Sequence, residues 1–264
     1  MQLVDLTRTL DSRDYDRLPE GVRPSASVLV PQVEYHTPQG QGAERMCEIF
    51  GCKREHLPGG EGWGEERVVI NSHIGTHVDA PLHYGSQCEG KPARTIEGIA
   101  LNELYCDALV LDLRDRVEPG AGISVADLQA ALEANGGKVT PGCAILLRTG
   151  QERFDLSEPR FYYYPGMTRE GTLFLADLGA KVLGTDAAGW DRPFFTMRAA
   201  FRETGDPKQI WDAHFAGRER EVFIVQQLTN LQSVPAHGFK VGFFPIKLAR
   251  CSAAPARVIA FIGS

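Results

Sequence analysis

A mixed α/β fold built on one central sheet is what this sequence predicts, and three observations predict it. A strand–helix–strand run occupies the middle of the chain, further β-rich segments follow it, and no repeat, low-complexity tract or linker interrupts the 264 residues. At 43% hydrophobic the chain can bury a substantial core, so residues 1–264 read as a single α/β domain.

The N-terminal stretch MQLVDLTRTLDSRDYDR carries charges where a signal peptide needs an unbroken apolar region. No later run approaches the roughly 20 apolar residues that span a bilayer, so a cytoplasmic protein without membrane contact is expected. Pro31 to Trp63, with HTPQGQG and LPGGEGWG, is rich in Gly and Pro and reads as long surface loops. Val68, Val69 and Ile70 form a β-branched run, read as a strand that feeds directly into the segment HIGTHVDAPLH.

Ala108 to Arg114 (ALVLDLR) reads as a buried strand. SVADLQAALEANGG reads as a helix, with Ser124 as N-cap, Asp127 three residues on, an apolar face of Val125, Leu128 and Leu132, and a stop at Gly136. Cys143 to Gly150 returns as a strand, which completes a βαβ-like unit. A second helix starts at Thr168 and ends near Gly179, ahead of the strand KVLGTD. The last strands are EVFIVQQLT, FKVGFFPIKL and ARVIAFIG.

The net charge of −6 excludes the clustered Lys and Arg of a nucleic-acid surface, and points to small molecules or further copies of the chain as partners. Six scattered cysteines with no C-x-x-C pair read as reduced thiols. No G-x-G-x-x-G, Walker or G-x-S-x-G pattern is present.

The chemistry concentrates in His73 to His83. A lone histidine in a strand is most simply structural, but here His73, His77, Asp79 and His83 all fall on odd positions and share one face of an extended chain. A straight strand would hold His73 and His77 about 13 Å apart, too far for two ligands that each approach a metal to about 2.1 Å. Gly75 and Pro81 supply the means to bend. A helix, the other way to pair two histidines four apart, is disfavoured by Gly, Thr, Val and Pro in the same segment. Two imidazoles and a carboxylate folded around one cation suit Zn²⁺, Mn²⁺ or Fe²⁺ and leave positions for water and substrate.

These residues also resemble a known family. HIGTHVDAPLH matches the H-x-G-T-H-x-D-x-P-x-H signature of the cyclase family of metal-dependent hydrolases, which includes bacterial kynurenine formamidase and isatin hydrolase. LLRTG, PGMTREGTLFL, VLGTDAAGWDRPF, AHFAGRE and GFFPIKL extend the resemblance over most of the chain beyond Trp63, and look closer to the isatin hydrolase side. The resemblance implies a swivelling β/β/α fold and a homodimer or higher homo-oligomer. It implies His73, His77 and Asp79 as metal ligands, His83 as the catalytic histidine, and His214 as a second-metal ligand or proton-transfer residue.

Where the family has a Glu in E-x-L-x-N-L, this chain has Gln226 in QQLTNL. Its amide oxygen can meet a hard cation but brings no charge, so one divalent ion, Mn²⁺ or Zn²⁺, is expected instead of two. The other reading of Gln226 is a strand residue that hydrogen-bonds nearby. Trp63, Phe194, Phe195 and the run Phe161 to Tyr164 are candidate walls of an aromatic pocket, as is Trp190 within the segment GTDAAGWD; the other reading of each is core or interface.

The activity expected is metal-dependent hydrolysis of a C–N amide bond next to an aromatic ring, with isatin opened to isatinate. A formamidase acting on N-formylkynurenine is the enzymatic alternative. A metal-stapled binding or assembly module is the alternative of another class.

Overall fold

The computed structural model describes residues 1–263. In chain order the strands are β1 (Gln2–Asp5), β2 (Gln32–His36), β3 (Glu65–Val69), β4 (His77–Asp79), the short pair β5 (Gln87–Cys88) and β6 (Lys91–Pro92), β7 (Tyr105–Asp112), β8 (Gly122–Ile123), β9 (Ala144–Arg148), β10 (Gly166–Met167), β11 (Val182–Thr185), β12 (Phe223–Gln226), β13 (Phe239–Pro245) and β14 (Ala253–Ile262). The helices are α1 (Gln41–Phe50), α2 (Val125–Asn135), α3 (Arg169–Asp177), α4 (Phe194–Thr204) and the single turn α5 (Asp212–Phe215). Among the described residues no helix is long and apolar enough to cross a membrane.

The main sheet has the order β1-β14-β13-β7-β9-β11-β12-β4, and β4 pairs with β14 as well, so the sheet closes on itself with β1 outside the ring. Parallel pairings join β7, β9, β11 and β12, as crossover helices require, and antiparallel pairings complete the circuit. Closure depends on β14, whose first three residues pair with β4 while the rest pair with β13 and β1.

Strand alternation then separates two cores. Val78, Val110, Leu146, Val225, Val241, Ala254 and Val258 share the core inside the ring. Leu109, Leu111, Ile145, Leu147, Leu183 and Ile224 pack outward, with Leu128 of α2 and Leu175 of α3 among their partners. Both helices start as their sequences predict. Ser124 Oγ accepts from Asp127 N at 3.2 Å while Asp127 accepts from Ser124 N at 2.9 Å, and Thr168 Oγ1 accepts from Gly171 N. The βαβ unit of β7, α2 and β9 is present.

Three expectations need correction. Pro31 to Trp63 is not loop throughout, because it contains β2 and α1. Ala43, Met46, Cys47 and Phe50 fall at helical spacing between runs rich in Gly and Pro, and Gly51 ends α1 in the left-handed region at φ 60. The strand at Val68 does not feed the histidine segment, since β3 pairs with β2 in a separate ribbon and a turn precedes β4. α4 and α5 follow Trp190 where no helix was expected.

Gly166 shows how tightly the outer layer is held. A Cβ there would lie 2.1 Å from Arg192 N and 2.4 Å from Asp191 O, both backbone atoms. Gly166→Ala is therefore expected to destabilise the fold by about 1–3 kcal/mol, read as a lowered midpoint in thermal denaturation. A midpoint equal to the parent's would show that this contact yields without cost.

Candidate metal centre

Alternation along β4 sorts core from chemistry. Val78 and Ala80 belong to the core inside the ring, so His77 and Asp79 face the opposite side. The adjacent β12 is registered with Gln226 against His77 and Ile224 against Asp79, so Gln226 joins the same face. Gly75, at φ 57, makes the turn that brings His73 back toward β4, and a side chain there would strike Leu10 Cδ2 at 2.6 Å. Pro81 opens a 3₁₀ turn that ends at His83. α5 supplies His214 from the other side.

The result is a cluster around one carboxylate. Asp79 is fully buried, and its Oδ1 lies 3.5 Å from His73 Nε2 and 3.4 Å from His77 Nε2. Ligand atoms held about 2.1 Å from one cation lie about 3.0–3.4 Å apart at right or tetrahedral angles, which these spacings approach. Asp79 Oδ1 is a buried oxygen without a hydrogen-bond partner, an arrangement that a cation would relieve. His77 Nδ1 donates to Gly75 O at 2.7 Å and Ser72 Oγ lies 3.0 Å from His73 Nδ1, so each ring presents Nε2 to the carboxylate. The donor set of nitrogens and one anionic oxygen fits a divalent ion.

His83 stands inside the same cluster. Its Nδ1 is 2.9 Å from His73 Nε2, and His73, Asp79 and His83 offer ligand atoms within 4.8 Å of one another. Gln226 Nε2 donates to the other carboxylate oxygen, Asp79 Oδ2, at 2.8 Å. In this arrangement its amide nitrogen, not its oxygen, faces the carboxylate.

The electrostatics follow from burial and pairing. Burial would push Asp79 up, but His77 and a hydrogen bond from His214 hold it well below the usual carboxylate range. Burial takes His83 down to about 4, against the opposing pull of Asp79. His214 goes the other way, to about 9: burial lowers it, and Asp191 overcomes that. The Asp191 carboxylate pairs with His214 Nδ1 and also accepts from Ala213 N at 2.8 Å and His214 N at 3.2 Å.

A cavity of about 330 Å³ opens onto the cluster, lined by His73, His77, His83, His214 and Gln226 together with aromatic residues. Trp190 lines it but is 1% exposed, with its indole N–H donated to Thr172 Oγ1 at 3.0 Å. Trp63 is not among the lining residues; its backbone packs on Gly42 of α1. Two lining residues went unread in the sequence. Asp191 follows Trp190, and Trp211 begins the WDAH run; the signal for both was proximity to quoted motifs, which does not reveal a side chain's direction.

A closed α/β sheet carrying this cation-fitting cluster at the mouth of an aromatic cavity has the form of a metal-dependent hydrolase. Residues 4–192 match the Cyclase family model, described as "Putative cyclase", and the chain belongs to that family. It is 28% identical over 194 residues to a kynurenine formamidase of Paracidovorax citrulli, covering 73% of this chain and 77% of the relative. To an isatin hydrolase of Roseibium aggregatum it is 24% identical over 208 residues, covering 74% and 73%. The solved structure of isatin hydrolase A from Ralstonia solanacearum superposes with a TM-score of 0.72 at 21% identity, covering 98% of this chain and 91% of that one. The chain is thus a hydrolase of the cyclase family.

Replacing the central carboxylate tests the cluster. Asp79→Ala is expected to abolish stoichiometric divalent-ion binding, measured by elemental analysis after desalting. Retention of a full equivalent of metal would place the ion elsewhere.

Proposed function

We propose that this chain hydrolyses the C–N bond of a small aromatic cyclic amide, with isatin opened to isatinate as the first substrate to try. The observation that carries this reading is the divided role of Asp79: Oδ2 is occupied by the neutral Gln226 amide, and Oδ1 is left to face His73 and His77. A neutral amide at this position supports one divalent ion, Mn²⁺ or Zn²⁺, held by His73, His77 and Asp79, with Gln226 bracing the carboxylate or turning its oxygen to the ion.

When bound, such an ion polarises a carbonyl and acidifies water from a pKa of 15.7 toward about 7. His83, half-buried and held neutral, accepts a proton from the attacking water and returns it to the leaving nitrogen. His214, anchored by Asp191, steadies the far side of Asp79 and Gln226. The surrounding aromatic walls favour a flat substrate.

A formamidase acting on N-formylkynurenine is the second reading, supported by the identity to kynurenine formamidases. Family membership speaks against a metal-stapled module without catalysis. Assembly as a homodimer or larger oligomer in the cytoplasm belongs to the same proposal. Tyr35, Phe50, Val68 and Val69, exposed on the β2–β3 ribbon and α1, support association.

His83→Ala is expected to keep the metal and to lower turnover about 10²–10⁴-fold. Loss of metal in that variant would make His83 a ligand and overturn its role as the base. Elemental analysis of the parent is expected to give one ion per subunit, and Gln226→Glu to raise affinity for a second through an added carboxylate. Two ions in the parent would refute the one-metal reading and favour formamidase. The substrate itself is read from a panel of isatin, N-formylkynurenine and simple anilides.

A further inference from the structure

The aromatic residue best placed to receive a substrate ring is Trp211. Its backbone is left-handed, at φ 53 and ψ 32, a conformation that costs a non-glycine residue free energy and is retained only where the surroundings enforce it. The enforcing contacts are on both sides. Trp211 N donates to Met197 Sδ at 3.4 Å, and Asp191 fixes the next turn through Ala213 N and His214 N.

This corner lays the indole almost parallel to the His214 ring, with centroids 4.4 Å apart and an interplanar angle of 19°. His83 stands perpendicular to it, at 4.9 Å and 89°. One indole face is therefore covered by His214, Phe215 meets the ring at 5.2 Å and 84°, and the half-buried residue lines the cavity beside the histidine cluster. Trp190 is no rival, since its ring is buried and its N–H is taken. Phe194 is 75% exposed and lies at the rim.

We propose that Trp211 is the specificity-determining platform of this site, which stacks a planar aryl amide on the part of its indole that lines the cavity, parallel to His214 and edge-on to His83. The inference deepens the proposed amide hydrolysis and rests on that reading for the identity of the substrate. It commits the site to flat aromatic rings over aliphatic amides of the same size. An indole face is tolerant of ring substituents, so selection falls on planarity and not on particular hydrogen bonds.

The test uses the metal-loaded full chain and oxindole, a flat cyclic aryl amide, as a binding probe in calorimetry. Trp211→Leu is expected to weaken oxindole at least 10-fold, Trp211→Phe to stay within a few-fold of the parent, and the metal content of both to be unchanged. Trp211→Gly, which adopts the left-handed backbone without strain, is expected to fold and to bind as poorly as the leucine variant. In turnover of any aryl amide found to react, the leucine variant should raise KM more than it lowers kcat.

Oxindole affinity equal in parent and Trp211→Leu overturns the platform, as does failure of the parent to bind oxindole. A binding loss that Trp211→Phe shares in full also overturns it, since the phenyl ring keeps a stacking face. If oxindole binding depends on Trp211 but no aryl amide is hydrolysed, the platform stands and the proposed reaction fails. If hydrolysis occurs with a KM indifferent to Trp211, the reaction stands and the platform fails.

Discussion

One buried carboxylate organises this molecule's chemistry. Asp79 is fully enclosed, carries a hydrogen bond from Gln226 on one oxygen, and leaves the other unpartnered between two imidazoles. An ionised group in that position is costly unless positive charge or donors surround it. The neighbouring arrangements follow from that need. Gly75 turns the chain so that His73 arrives, Gly75 O fixes the tautomer of His77, and Asp191 holds His214 against the far oxygen.

The same carboxylate ties the site to the fold. Asp79 lies on a three-residue strand whose two neighbours, β12 and β14, close the ring. A one-residue slip of β4 would send His77 and Asp79 into the core inside the ring and Val78 outside it. Packing of Val78 and Ala80 therefore fixes the register on which the histidine cluster depends. His214 and Gln226, the groups that brace Asp79 from beyond, come from α5 and β12, far from β4 in the sequence.

Much of this was legible in the sequence where local rules and global structure agree. The capping box at Ser124, the β-branched strands of the βαβ unit and the motif from His73 to His83 each carry their own physical signature. The illegible parts have equally specific causes. α1 carries a short stripe of Ala43, Met46, Cys47 and Phe50, but the Gly- and Pro-rich runs on either side of it dominate the reading of that region; α5 is one turn long and begins on a strained tryptophan. Trp63 and Trp190 were read by residue type, yet one is outside the cavity lining and the other spends its indole on Thr172. Trp211 gave no signal because its orientation comes from a left-handed backbone that sequence periodicity does not encode.

The long reach of β14 has a consequence for when the enzyme becomes competent during its own synthesis. β4 emerges early, but its partner residues Ala253–Pro255 come far later in the sequence. Contacts between such distant segments carry a large loop-closure cost and form late. A nascent chain in which β14 has not yet emerged lacks one of the two strands that seat His77 and Asp79, so the carboxylate and its imidazoles are set in place only once β14 joins the ring. The strand order thereby makes the histidine cluster one of the last parts of the fold to become ordered.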